Sequence, residues 1–155
     1  LLDMFDKADE YYPLVYVCSP YRGNVEENVI NARKYSRFTF DNKNIPLTPH
    51  LLYPQFLNDD DIFERNIAIH KINYVLIGLC KEMWVFGDAI TDGMQREILI
   101  AKKRKMRIRY FSKDLKEIEI FNTTEASGIK PMTAENYIEI LIDFYSNDSK
   151  IKTIL

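Results

Sequence analysis

The chain has 155 residues, of which 46% are hydrophobic and 28% are charged, and its formal net charge at pH 7 is −2. This composition indicates a folded domain rather than a disordered chain, and the slight negative charge argues against sequence-independent binding of nucleic acid. Because the chain starts without a basic and apolar leader and has no apolar stretch of membrane-spanning length, we expect a cytoplasmic protein that does not contact a membrane.

The first predicted strand ends in a polar, basic turn that leads into a helix. Leu14–Cys18 is β-branched and aromatic, as a buried strand is, and Val25–Asn42 carries apolar residues at helical spacing. In the intervening turn, Ser19–Gly23, Arg22 supplies a positive charge and a bidentate donor. Ligands bind outside the carboxyl ends of strands in open α/β sheets, and a following helix favours anions, so the turn predicts an anion-binding site. The alternative is a loop that only shapes the backbone, with Arg22 in water.

Strands and helices continue to alternate along the chain. A short strand at Ile45–Thr48 contains a proline, which limits its length or places it near a sheet edge. A long helix is predicted from Asp59 to Leu79, with Asn58–Asp61 as its cap and acidic first turn. The next elements are a strand at Glu82–Phe86, a helix capped by Asp92 that ends near Lys103, and a strand at Met106–Phe111. This alternation predicts a Rossmann-like (flavodoxin-like) α/β fold with a mainly parallel sheet of about four to five strands.

Residues after Phe111 carry weaker signals. Leu115–Phe121 is compatible with a strand or a short helix, residues 122–131 resemble a loop, and a final helix is predicted from Thr133 to about Tyr145. We therefore expect a single domain over residues 1–155, with a core at about 14–111 and a C-terminal extension at about 112–155. The final helix would pack on the sheet or on another subunit.

A carboxylate interrupts the apolar stripe of the helix that follows Asp92. The stripe comprises Met94, Glu97, Ile98 and Ala101. Helical side chains lean toward the helix N terminus, so Glu97 is predicted to point back to the strand ends, where the Ser19–Gly23 turn also opens. The alternative is that Glu97 lies at the edge of the stripe and reaches water or pairs with Lys71.

The remaining polar residues point less clearly to a function. His50 follows the second strand, so it either lines the same pocket or hydrogen-bonds to the loop that follows it. The two histidines are not at ligand spacing, and Cys18 and Cys80 match no metal or redox motif. We therefore expect no metal and no cofactor, and two free thiols in a reducing compartment. The basic run Lys102–Lys105 lies at a predicted helix end, where the dipole favours cations.

Four short segments, in a consistent order, carry a resemblance to a known enzyme family. Tyr16–Gly23 is a strand with its polar turn, Leu47–His50 contains Thr-x-His at a strand end, Phe63–Ile67 is a helical segment, and Gly93–Glu97 is a glycine-led turn into a glutamate. Over about residues 14–111 they resemble the nucleoside 2-deoxyribosyltransferase superfamily, including its deoxynucleoside 5′-monophosphate N-glycosidase branch.

The resemblance implies a chemistry and a set of site residues. Glu97 would attack the anomeric carbon of the sugar to form a glycosyl-enzyme intermediate, which water or a second base resolves. Arg22 and its turn would hold the 5′ end or phosphate, and Tyr21, Asp88 or Asp92 would contact the sugar or base. The implied catalytic residues are Glu97 and Asn66, and the implied substrate-binding residues are Cys18, Ser19, Pro20, Tyr21, Arg22, Gly23, His50, Gly87, Asp88, Asp92, Gly93 and Met94. The implied partners are a small-molecule nucleoside or nucleotide and further copies of the chain in a homo-oligomer.

The sequence departs from the family pattern at two places. Asn66 stands where the family commonly has Asp, and an amide cannot exchange protons near neutral pH. The stretch Asp88–Gly93 lacks the serine and the second glycine of the monophosphate-specific branch. Binding of a phosphate would therefore depend more heavily on the Ser19–Gly23 turn.

Three classes of function follow from these observations. Glu97 favours an enzyme that cleaves or transfers at the N-glycosidic bond of a deoxynucleoside or its monophosphate. Asn66 favours binding of a nucleotide or a nucleotide-derived signal without turnover. An interaction protein that keeps this fold is the third, because a fold alone does not determine a function.

Overall fold

A five-stranded sheet forms the centre of the chain in the computed structural model, which describes residues 10–119. The strands are β1 (Leu14–Cys18), β2 (Ile45–Leu47), β3 (Glu82–Phe86), β4 (Arg107–Phe111) and β5 (Glu117–Ile118), in the order β2-β1-β3-β4-β5. The first four are parallel, and β5 is antiparallel to β4. The predicted mainly parallel α/β fold is confirmed. The predicted loop at 122–131 and the final helix lie outside the described residues.

The helices connect the parallel strands. They are α1 (Val25–Asp41), α2 (Pro49–Leu52), α3 (Ile62–Ile67), α4 (Asn73–Leu79) and α5 (Asp92–Lys103), with a 3₁₀ turn at Tyr53–Gln55 and a π-helical turn at Ala68–Ile72. The sequence predicted a loop at Leu51–Leu57 after the second strand, so the short helix α2 and the 3₁₀ turn are additions. Within residues 10–119, no helix is long and apolar enough to cross a bilayer.

The helix predicted over 59–79 differs most from the structure. It begins at Ile62, because Asp61 is the N-cap and its side chain accepts hydrogen bonds from the backbone N–H groups of Phe63 and Glu64. The π-helical turn then divides it into α3 and α4. The prediction of Asp92 as the cap of α5 was also wrong by one residue. Thr91 is the N-cap and accepts from the Met94 N–H, whereas Asp92 lies in the first turn.

Each face of the sheet carries its own buried cluster. Because side chains alternate along a strand, Val15 and Val17 of β1 face α1, and Tyr16 and Cys18 face α4 and α5. On the α5 side the cluster includes the predicted stripe residues Met94, Ile98 and Ala101. Glu97 therefore lies on the face of α5 that is directed toward β1.

The strand order places a crevice between β1 and β3. The chain leaves β1 toward β2 on one side and reaches β3 on the other, so the connections diverge at this point. Open α/β sheets bind ligands in such a crevice, outside the carboxyl ends of the strands. The Ser19–Gly23 turn follows β1 and Gly87 follows β3, so both lie at this position.

Candidate functional site

Two donors converge on one oxygen of the Glu97 carboxylate, and the Cys18 thiol also donates to this carboxylate. The Tyr16 hydroxyl donates to Oε1 over 3.0 Å, and the Asn73 side-chain amide donates to the same atom over 3.0 Å. Tyr16 is fully buried in β1, and Asn73 is the first residue of α4. Three separate elements therefore fix this carboxylate, and Oε2 receives neither of these two bonds.

The surroundings of Glu97 bring its titration close to neutral pH. Burial raises the pKa of Glu97 from 4.5 to about 7, while hydrogen bonds from the Cys18 thiol and the Tyr16 hydroxyl lower it. Burial and the neighbouring Glu97 raise the pKa of Tyr16 well above 10, so its hydroxyl stays a donor. A partly buried carboxyl with a pKa near 7 can transfer a proton or, when ionised, attack an electrophilic carbon.

Asn73 is a site residue that the sequence reasoning missed. It follows directly on the π-helical turn Ala68–Ile72, and such turns are frequent at functional sites because the extra residue changes which side chains face a neighbour. The amide that contacts Glu97 is that of Asn73, whereas Asn66 lies seven residues earlier in α3. The sequence signal that could have identified Asn73 is its polar amide within the otherwise apolar segment 72–79.

Tyr16→Phe removes one of the donors to Glu97 and leaves Asn73 and Cys18 in place. We expect the pKa of Glu97 to rise from about 7 to about 8, since a hydrogen bond to a charged group contributes roughly 1.5 kcal/mol. NMR titration of the glutamate side-chain carboxyl carbon measures the shift. Tyr110→Phe is the matched control, because Tyr110 packs against the same cluster from β4. An equal pKa in the Tyr16 variant and the wild type would contradict the assigned hydrogen bond.

The Ser19–Gly23 turn is held in place by two neighbouring elements. Ser19 is buried, and its hydroxyl lies 2.9 Å from Nε2 of His50 in α2. Burial lowers the pKa of His50 to about 4, so the ring is neutral at physiological pH. The Asn28 side chain in α1 donates to the carbonyl oxygens of Tyr21 and Arg22. The structure thus places the ring of His50 against Ser19 at the start of the turn.

The carboxyl end of β3 meets the same turn. Gly87 has φ +111°, and a side chain there would lie 3.4 Å from Cδ of Pro20. The next residue, Asp88, accepts a hydrogen bond over 3.0 Å from the backbone N–H of Lys113 and so fixes the connection between β4 and β5. Glycine at 87 is therefore favoured by its positive φ, because a Cβ there would make only an ordinary van der Waals contact with Pro20.

The other predicted substrate-binding residues differ in exposure. Cys18 and Met94 are buried in the core, with 0% and 2% of their surface exposed. Asp92 and Gly93 lie in the exposed first turn of α5.

Within residues 10–119, no cluster of three or more His, Cys, Asp or Glu side chains has the arrangement to hold a metal ion.

Arg22 is paired with an acidic segment that precedes α3. Its Nε donates to Oδ2 of Asp59 over 2.9 Å, its Nη2 donates to the Asp59 carbonyl over 3.3 Å, and Oδ1 of Asp60 lies 3.9 Å from Nη2. Beside this pair is an open cleft of about 510 Å³, whose lining includes Tyr21, Val25 and Leu57. The guanidinium at the strand end is therefore already engaged by carboxylates.

A family model described as a domain of unknown function (DUF7768) matches residues 13–111, which is more than half of the chain. The chain belongs to this family. The matched region of the DUF7768 domain begins just before β1 and ends with β4, so it contains Glu97, Tyr16, Asn73 and the Ser19–Gly23 turn. A comparison with curated proteins gives no match.

The DUF7768 domain is similar in structure to a 2-deoxyribosyltransferase from the psychrotolerant bacterium Bacillus psychrosaccharolyticus. The TM-score is 0.54 and the sequence identity 18%, and the similarity covers 70% of this chain and 76% of that enzyme. That enzyme is described as a biocatalyst for the synthesis of antiviral and antitumoral nucleosides. The likeness shows a shared fold, which is the fold that the sequence resemblance implied.

Proposed function

We propose that this DUF7768 domain binds a deoxynucleoside or its monophosphate and cleaves or transfers the deoxyribosyl group at the N-glycosidic bond. The observation that carries the proposal is Glu97, a carboxyl with a raised pKa that accepts hydrogen bonds from Tyr16 and Asn73 on one oxygen. The shared fold with a 2-deoxyribosyltransferase supports the choice of substrate class.

The two donors leave Glu97 oriented for attack. Because Tyr16 and Asn73 both bind Oε1, Oε2 is the atom that forms a bond to C1′ of the sugar. The C1′–N bond breaks as this bond forms, and the base leaves with the bonding electrons and takes a proton from solvent. Water or a second base then attacks C1′ and releases the Glu97 carboxylate, with overall retention of configuration.

The turn and its neighbours would hold the sugar. Ser19 and the neutral His50 offer uncharged hydrogen-bonding groups, which suit sugar hydroxyls. Pro20, Tyr21, Gly23 and Gly87 would form the wall between β1 and β3. Asp88 and Asp92 stay assigned to the sugar or base, and Asn66 stays a predicted catalytic residue.

Incubation of the pure protein with each of the four deoxynucleosides and their monophosphates tests the proposal. Chromatography follows the release of free base, and a second added base tests transfer. We expect free base from at least one substrate, and exchange when the second base is present. If none of the eight substrates gives free base or exchange, the catalytic assignment is wrong.

Binding without turnover is the second candidate, because Asn66 occupies the position of an expected acid. A ligand stabilises a binder by RT ln(1 + [L]/Kd), about 2.7 kcal/mol at a hundredfold excess over Kd. A thermal shift with nucleosides but no base release would support this candidate. A protein that acts only by binding other proteins would show no thermal shift with nucleosides.

We also propose that the chain forms a homo-oligomer. Large apolar side chains are exposed along α3 and α4, among them Ile62, Phe63, Val75 and Leu79, and apolar patches of this kind commonly mark interfaces. Light scattering should give a multiple of the monomer mass, and Val75→Glu should reduce it to the monomer. Ile30→Glu, at an exposed position of α1, is the matched control. A monomeric wild type would contradict the proposal.

A cytoplasmic location is proposed from the cysteines. Cys18 and Cys80 are both free and buried. Free thiols are typical of proteins from reducing compartments, where disulfides rarely form.

A further inference from the structure

We propose that this site discriminates against a 5′-phosphate and takes the unphosphorylated deoxynucleoside, because Asp59 already occupies the guanidinium of Arg22 at the carboxyl end of β1. The inference rests on the proposed function and narrows its substrate class. The sequence left two expectations for Arg22 and its turn, to hold the 5′ end or to hold a phosphate, and the inference keeps only the first.

Hydrogen bonds fix the backbone on both sides of the Arg22–Asp59 pair. The carbonyl oxygen of Arg22 accepts a hydrogen bond from Asn28, which fixes the backbone of the turn. On the other side, the Asn58 backbone N–H donates to Glu64 over 2.6 Å, and Asn58 in turn accepts from the N–H of Asp60. The carboxylate and the backbone carbonyl of Asp59 both accept from Arg22. A phosphate could bind this side chain only through the N–H groups that do not donate to Asp59, unless it displaced Asp59.

The charges around the turn also oppose an anion. Asp59 and Asp60 together outweigh the single charge of Arg22. Two carboxylates, Glu26 and Glu27, lie in the first turn of α1, and Glu27 pairs with Lys113. The Asn24 cap also accepts a hydrogen bond from the Glu27 N–H, so the positive end of the helix already has partners. A phosphate monoester carries a charge of about −1.5 to −2 at pH 7, so it would add to this negative field.

The cleft suits a neutral ligand better. Its lining is mixed: Tyr21, Val25, Pro54 and Leu57 contribute apolar atoms, and Arg22, Asn58, Asp59 and Asp60 contribute polar ones. Its volume of about 510 Å³ falls within the range of about 300–1,000 Å³ that is usual for small-molecule sites. Burial, followed by Asp59 and Asp60, raises the pKa of Tyr21, so its hydroxyl stays neutral and can donate. An uncharged sugar hydroxyl can meet these groups without displacing Asp59.

Asp59→Asn tests the inference by removing the charge while keeping the size of the side chain. Calorimetry is carried out in a Glu97→Gln background to prevent turnover, with each deoxynucleoside and its 5′-monophosphate as paired probes. We expect the Glu97→Gln protein, which is the parent in this comparison, to bind the nucleoside at least about tenfold more tightly than the monophosphate. Asp59→Asn should reduce that ratio at least about tenfold, since removing a neighbouring charge changes affinity by this order.

Two further variants show whether the effect acts through Arg22. Asp41→Asn makes the same change in net charge at the far end of α1, where Asp41 pairs with Arg37, and should leave the ratio unchanged. The double variant Asp59→Asn, Arg22→Ala should lose the gain in monophosphate affinity that Asp59→Asn alone produces. A circular dichroism melt checks that each variant is folded, and Asp60→Asn replaces Asp59→Asn if that variant is not.

The outcomes separate this inference from the proposed function. If the parent binds monophosphates as tightly as nucleosides, or more tightly, the inference is wrong while the proposed function stands. The inference is also wrong if the ratio of nucleoside affinity to monophosphate affinity is unchanged in a folded Asp59→Asn variant. If neither class of ligand binds, the proposed function fails and the inference fails with it.

Discussion

Glu97→Gln is expected to reduce base release from a deoxynucleoside by more than roughly a thousandfold, the order of loss seen when a catalytic nucleophile is removed. An amide oxygen is too weak a nucleophile to displace a nucleobase. Gln has nearly the shape of Glu, and its oxygen can still accept from Tyr16 and Asn73, so the surrounding structure should persist. Chromatography of free base under single-turnover conditions measures the change.

A second glutamate provides the control for this experiment. Glu117→Gln alters an exposed residue of β5 that pairs with Arg109, and it should leave base release near the wild-type rate. Acid-quenched wild type should carry a deoxyribosyl adduct on the peptide that contains Glu97. Base release at the wild-type rate in Glu97→Gln would remove Glu97 as the nucleophile.

The strands could be predicted because their sequences leave few alternatives. β1 and β3 coincide with the predicted segments Leu14–Cys18 and Glu82–Phe86. Both lie in the interior of a parallel sheet, with helices packed on its two faces, and such strands have continuous apolar runs. β2 and β4 are each one residue shorter than predicted, which is the usual extent of disagreement at an element end.

The helices were harder to place because several signals competed. Asn58, Asp59, Asp60 and Asp61 are all good caps, and the one that acts as the N-cap is Asp61. Thr91 and Asp92 are adjacent cap formers in the same way. The π-helical turn at Ala68–Ile72 leaves no mark in apolar periodicity, because apolar residues occur throughout that segment.

The site could be predicted only where it depends on local spacing. The spacing of the stripe put Glu97 on the same face of α5 as Met94, Ile98 and Ala101, and on that face the structure adds its bond to Tyr16. Asn73 was missed because the π-helical turn lies between it and the predicted Asn66. The partner of Arg22 was missed because Asp59 is 37 residues away, and no local pattern reports a contact between two loops.

Glu97→Gln should also stabilise the fold at neutral and alkaline pH. The pKa of Glu97 is about 7 in the folded chain, against an ordinary value of 4.5, so between these values the folded state holds a proton that the unfolded state releases. The stability of the wild type therefore falls as the pH rises from about 4.5 to 7, and above that range the ionised carboxylate costs about 3 kcal/mol. Gln is neutral throughout and avoids this cost.

Urea denaturation of wild type and Glu97→Gln at pH 4, pH 6 and pH 8 measures the difference. The two proteins should be nearly equal at pH 4, and the variant should be more stable by up to about 3 kcal/mol at pH 8. Other titrating groups cancel in the difference, since both proteins contain them. A difference that does not change with pH would show that the pKa of Glu97 is not raised. A gain in stability together with a loss of base release would mark Glu97 as a residue kept for chemistry, because a carboxylate kept for stability would not cost free energy at the pH where it acts.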